Sequence, residues 1–183
     1  KDFLVSPESF FQVNLPVAEE MVRHVLSLIE GKENLLILEL YSGVGLFARF
    51  LAPHASQLTA IESAPSACFD FAGNLDEFEN ISLYEGAVEM ILPELVKQIK
   101  PIDLVVLDPP RAGLNARARQ ALVDLAPQQI IYISCDPSTL ARDLRYFSEK
   151  GYSLQSLHAF DMFPQTAHVE TIVVIHRAQR VTT

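Results

Sequence analysis

Apolar and polar positions along the chain follow two rhythms that trade places. Val17, Met21, Val22, Val25, Leu28 and Ile29 recur every three or four residues, one face of a helix, with Pro16 suited to its first turn and Gly31 to its end. Residues 35–40 are then almost continuously apolar, as in a strand covered on both faces. The alternation continues: helices over 43–52, 64–73, 87–99 (interrupted near Pro93), 114–125 and 137–150, and strands over 57–61, 81–84, 102–107 and 129–133. Two final strands, 152–160 and 171–176, follow each other with no helix between them. The pattern predicts an α/β fold, a doubly wound parallel sheet covered by helices on both faces. The short connection over 161–169 predicts an antiparallel last strand. Residues 1–176 read as one domain and 177–183 as a tail.

Composition narrows the class. At 183 residues, 49% hydrophobic and 20% charged, the chain can bury one sizeable core. It has neither an apolar run of membrane-spanning length nor the pattern of a secretory signal, and its two distant cysteines make no disulfide framework. A cytoplasmic location is expected. The start at Lys1, close before a motif-rich stretch, suggests a domain of a longer protein. A net charge of −9 argues against this domain gripping a phosphate backbone over a wide surface. Arg111, Arg117, Arg119, Arg142 and Arg145 fall in two segments after candidate site strands, as a local basic patch or as solvated helix faces. The histidines show no metal-ligand spacing, so no metal is expected.

Chemistry concentrates at strand ends. Gly43 and Gly45 follow the first strand and open a helix, where the absence of Cβ lets backbone approach a ligand. Glu62 ends the second strand, where a carboxylate can accept from ribose hydroxyls. The third glycine of a dinucleotide fingerprint is missing, so a nucleoside without pyrophosphate, such as S-adenosylmethionine, fits better. Asp108 ends the fourth strand before Pro109 and Pro110, which stiffen the loop and fix its direction. Cys135 lies just past the fifth strand and before a helix whose dipole favours its thiolate, and Glu170 opens the last strand. A nucleophilic thiol, a carboxylate base and a methyl donor together suit methylation of a pyrimidine at carbon 5, a feeble nucleophile until a thiolate adds at carbon 6.

These motifs resemble the catalytic domain of the RNA (uracil-5-)-methyltransferases, the family that makes 5-methyluridine in tRNA and rRNA. They run from Phe10-Phe11-Gln12-Val13-Asn14 through Leu40-Tyr41-Ser42-Gly43-Val44-Gly45, Asp108-Pro109-Pro110-Arg111 and Ser134-Cys135-Asp136-Pro137 to His168-Val169-Glu170-Thr171, nearly the whole chain. The resemblance implies a class I, Rossmann-like methyltransferase fold with a seven-stranded mixed sheet. It implies Cys135 as nucleophile, Glu170 as base, and Gln12, Tyr41, Gly43, Gly45, Glu62 and Asp108 around S-adenosylmethionine. Phe10, Arg111, Gln165 and His168 are implied substrate contacts. Leu46 departs from the family, whose members often carry Asn or Thr there, and a contact to the methionine end of the cofactor is in question. Full-length members add N-terminal RNA-binding regions, some with an iron–sulfur cluster, so RNA is the expected partner, helped by regions outside this chain. Two alternatives stay open: a cofactor- or RNA-binding domain inactive in isolation, and a cytosine-5 methyltransferase.

Overall fold

The apolar runs assemble one seven-stranded sheet in the computed structural model, which describes residues 2–99, 101–162 and 169–178. In chain order the strands are β1 (Leu35–Leu40), β2 (Ala55–Glu62), β3 (Ile81–Glu85), β4 (Leu104–Leu107), β5 (Gln129–Ser134), β6 (Tyr152–Phe160) and β7 (Glu170–Arg177). The helices are α1 (Leu15–Ser27), α2 (Leu46–Leu51), α3 (Pro65–Asn74), α4 (Val88–Leu95), α5 (Ala116–Leu125) and α6 (Pro137–Glu149). Spatial order is β3-β2-β1-β4-β5-β7-β6, with the first five strands parallel. β7 is antiparallel to both its neighbours. The antiparallel last strand is therefore present, but inside the sheet rather than at its rim, which is why Glu170 through Ile175 are all buried. β6 takes the rim and is mostly exposed, with Leu154 and Leu157 open.

Side chains leave the sheet alternately to two cores. Ile37, Ile131 and Ile133 join α1, α2 and α3 on one face, while Leu38, Leu40, Ile130 and Tyr132 join α4, α5 and α6 on the other. The expected helix over 43–52 is shorter. Gly43 (φ 54°) and Gly45 (φ 89°) make a left-handed turn first, and a Cβ on Gly45 would lie 2.3 Å from Leu75. Pro93 does not interrupt α4, which runs through it and ends two residues later. Two residues expected in the tail belong to the sheet region instead: Arg177 ends β7 and Ala178 donates to the Gly151 carbonyl. Residues 179–183 lie outside the described residues. No helix among the described residues is long and apolar enough to cross a membrane.

Candidate active site

The carboxyl ends of the parallel strands all face one rim of the sheet, and the predicted Glu62, Asp108 and Cys135 collect there beside Glu39, which the sequence reading did not single out. β1 delivers Glu39, β2 Glu62, β4 Asp108, and β5 Cys135 immediately past Ser134. β7 enters from the opposite direction. Ser134 pairs with Thr171, so the next residues along the ladder, Cys135 and Glu170, come opposite each other. Two residues separated by thirty-five positions are thus joined by one antiparallel register.

Three acids and a thiol in a poorly hydrated row hold their protons more tightly than usual. The Asp108 carboxyl is pushed up to about 8 by desolvation and by the Glu170 charge. Burial raises Glu170 as well, against the pull of Arg111. Glu39, 2% exposed, stands well above the ordinary carboxylate range through burial and the charges of Asp108 and Glu62. Burial also raises the Cys135 thiol, with Glu170 and Asp108 adding to it and Arg111 opposing. The expected help from the helix dipole is therefore outweighed in the free protein. Asp136 does not sit against the thiol as a loose charge. It caps α6, accepting from the amides of Thr139 and Ser138, which hold its carboxyl below the usual range.

The glycine turn and Glu62 form a second part of the site. One Glu62 oxygen accepts from the Gly43 amide (2.9 Å), the other from the amides of Ser63 and Ala64 (2.7 Å each). These bonds aim the carboxylate and leave lone pairs for a diol. Gln12 is 7% exposed and its Oε1 has no partner. Glu39 Oε2 and Ser42 Oγ are also buried without partners. Buried polar atoms without partners are costly, and Glu39 and Ser42 lie beside the glycine turn, as a polar ligand there would require. The residues present thus fit a nucleoside with an amino-acid end.

Other expected residues fall less centrally. The Tyr41 phenol is raised by burial, by Glu89 and by Asp143, so its ring faces the α4–α6 side, while its amide donates to the Ile61 carbonyl. Phe10 is 72% exposed, next to the site segment but uncovered. Leu46 packs against the α1–α3 core. Arg111 is exposed, yet its charge reaches Cys135, Asp136 and Glu170. Gln165 and His168 lie outside the described residues. The five arginines do not form a free patch: Arg119 and Arg142 are bound to Asp143 and Arg145 to Glu149. Sequence reasoning passed over Glu39 and Ser42. A lone acid inside the apolar run 35–40 was the available signal for the first.

Comparison with known proteins shows the family and the fold. The family model described as tRNA (uracil-5-)-methyltransferase matches residues 3–178. An uncharacterized RNA methyltransferase of Fusobacterium nucleatum is 41% identical over 178 residues, covering 96% of this chain and 38% of that protein. One of Streptomyces avermitilis is 39% identical over 183 residues, covering 98% and 42%. The crystal structure of Pyrococcus abyssi tRNA (uracil-54, C5)-methyltransferase in complex with S-adenosyl-L-homocysteine superposes with a TM-score of 0.81 at 34% identity, covering 95% of this chain and 42% of that one. A precorrin-6y C5,15-methyltransferase of Geobacter metallireducens shares the fold, with a TM-score of 0.71 at 15% identity. The chain spans about two fifths of the length of the relatives that it matches.

Proposed function

The chain belongs to the tRNA (uracil-5-)-methyltransferase family, and on that premise we propose that it transfers a methyl group from S-adenosylmethionine to carbon 5 of a uridine in tRNA or rRNA. The observation that carries the reading is the convergence of Cys135 and Glu170 across the β5–β7 ladder, beside the acid row and the glycine turn. Gln12, Gly43, Gly45, Glu62 and Asp108 would hold the cofactor, with Tyr41 at the base of the turn. When bound, the cofactor supplies an electrophilic methyl on a sulfonium.

Cys135 acts as thiolate, its proton having passed to solvent, and Sγ bonds carbon 6 of the uracil. The carbon 5–carbon 6 electron pair moves to the carbonyl as an enolate, which makes carbon 5 able to take the methyl. Carbon 5 then carries both methyl and proton. The Glu170 carboxylate removes that proton, the double bond re-forms, and the carbon 6–sulfur bond breaks to release the thiolate. The face of the base must be open to Sγ, so the nucleotide leaves its stack before reaction, and Phe10, Arg111, Gln165 and His168 are its proposed contacts. Glu170 suits the base role because burial raises its proton affinity while Arg111 keeps it available as carboxylate. With most of the nearby arginines engaged and the net charge at −9, the grip on RNA is assigned to regions outside this chain.

The test incubates uridine-containing RNA with labelled cofactor and analyses the nucleosides. Label in 5-methyluridine is expected, falling at least about 10³-fold in Cys135→Ala. In Glu170→Gln the covalent RNA adduct should persist on a denaturing gel. Transfer that survives in Cys135→Ala, or label in 5-methylcytidine, would sink the proposal.

A further inference from the structure

The loop from Asp108 to Leu114 is short of its own hydrogen bonds, because Pro109 and Pro110 carry no amide donors. The Gly113 amide turns back to the Pro110 carbonyl, and three further carbonyls and the Leu114 amide are taken up by the first two turns of α6. Thr139 Oγ1 donates to the Arg111 carbonyl (3.0 Å), and Arg142 Nη2 donates to the carbonyls of Ala112 (2.9 Å) and Leu114 (3.3 Å). The Leu114 amide donates to Asp143 Oδ2 (2.8 Å). Asp143 is fully buried and gathers Arg119 (2.7 Å), Arg142 (3.0 Å) and the Tyr132 hydroxyl (2.8 Å) as well. Gly113, at φ +70°, crosses this cluster so closely that a Cβ would come within 2.7 Å of both Arg142 and Asp143. The mechanism uses none of these α6 side chains.

α6 is also the helix that Asp136 caps next to Cys135. Resting on the methyltransferase reading above, we propose that Thr139, Arg142 and Asp143 are positioning residues: a latch that fixes the 108–114 loop to the helix behind Cys135, so that Arg111 stays beside the reacting thiol. Among the described residues the charged groups that act on that thiol are Glu170 from β7, Asp108 from the end of β4 and Arg111 from the loop, and Arg111 alone among them is a cation. Without the latch, a flexible loop would let Arg111 swing to solvent and leave the sulfur facing only carboxylates. Asp108 sits on the same loop, so both its acid and its base side depend on one clamp.

The test needs neither RNA nor methyl transfer. The rate of iodoacetamide alkylation of Cys135, read from its own peptide by mass spectrometry, is followed against pH in Arg142→Lys, Thr139→Val and Arg111→Gln. Lysine keeps the charge of Arg142 but has no second nitrogen to bond Asp143 while the first holds the Ala112 and Leu114 carbonyls. Thr139→Val keeps the shape and is the milder second variant should Arg142→Lys fold poorly. Each is expected to slow alkylation at pH 7.5 by about threefold or more, with the pH midpoint displaced upward. Either latch variant combined with Arg111→Gln should be no slower than Arg111→Gln alone, because the latch acts through that residue. A parental profile in both latch variants overturns the inference, and so does additive slowing in the combined proteins. Should the alkylation behave as expected while no 5-methyluridine forms, the latch stands and the uridine reading falls.

Discussion

Asp108 shows how one side chain can be costly for folding and useful for chemistry. Its carboxyl stands at about 8, pushed up by desolvation and by Glu170, against roughly 3.9 in an unfolded chain. The folded protein therefore binds a proton that the unfolded chain releases over that interval. Stability from this group is complete below about pH 4 and declines as pH rises toward 8. Asp108→Asn removes the ionisable group and should flatten that decline. The variant is expected to melt at least about 3 °C above the parent at pH 8 and level with it at pH 4, by calorimetry across the range. A melting difference that stays constant with pH would refute the assignment. Cofactor affinity should fall in the same variant above about pH 8, where Asp108 carries a charge in the proposed pocket that asparagine lacks.

At the scale of elements, the leading segment is held by α3 rather than by α1. Asn74 accepts from the Leu4 amide (2.6 Å) and donates to the carbonyls of Leu4 and Val44 (2.9 Å each), bridging the segment to the glycine turn. Asp70 accepts from the Ser6 amide (2.7 Å), the Ser6 hydroxyl (2.7 Å) and the Ser9 hydroxyl (2.6 Å). Burial pushes the Asp70 carboxyl up, but those three bonds outweigh it and hold it below its ordinary value. Such a group stabilises above the unfolded value of about 4, and the contribution is lost as pH falls through the lower folded value. Asp70→Asn should therefore loosen residues 2–9 at pH 7, seen as faster amide exchange and faster proteolysis there. Its difference from the parent should shrink below about pH 4.

At the scale of the whole molecule, one sheet serves two cores. Ile37 and Leu38 are neighbours in β1, both fully buried, and they point to opposite faces. Truncation of either leaves a cavity next to the central strand. Ile37→Ala and Leu38→Ala should each lower stability by about 2–5 kcal/mol in urea titrations. Because both cores share every central strand, far-UV circular dichroism and tyrosine fluorescence should report one coincident transition in each variant. Two separated transitions would mean that the faces fold independently.

The chain's local patterns determined a great deal. Continuous apolar runs fixed five parallel strands, Gly43 and Gly45 marked the turn before α2, and the position of Cys135 just past a buried run put it at the rim where the parallel strands end. Those features were legible because periodicity and glycine placement express the environment of single residues and near neighbours. Partner choice was not legible. That β7 slips between β5 and β6, that Asn74 reaches Leu4 seventy positions away, and that Arg119 and Arg142 are spent on Asp143 rather than on solvent all depend on which surfaces meet. The same holds for the acid row, where Glu170 raises Asp108 and Asp108 raises Glu39 only because their strands end at one rim. Burial of a stretch is written in its own residues, whereas pairing and mutual charge are properties of distances between stretches, which the closed sheet alone sets.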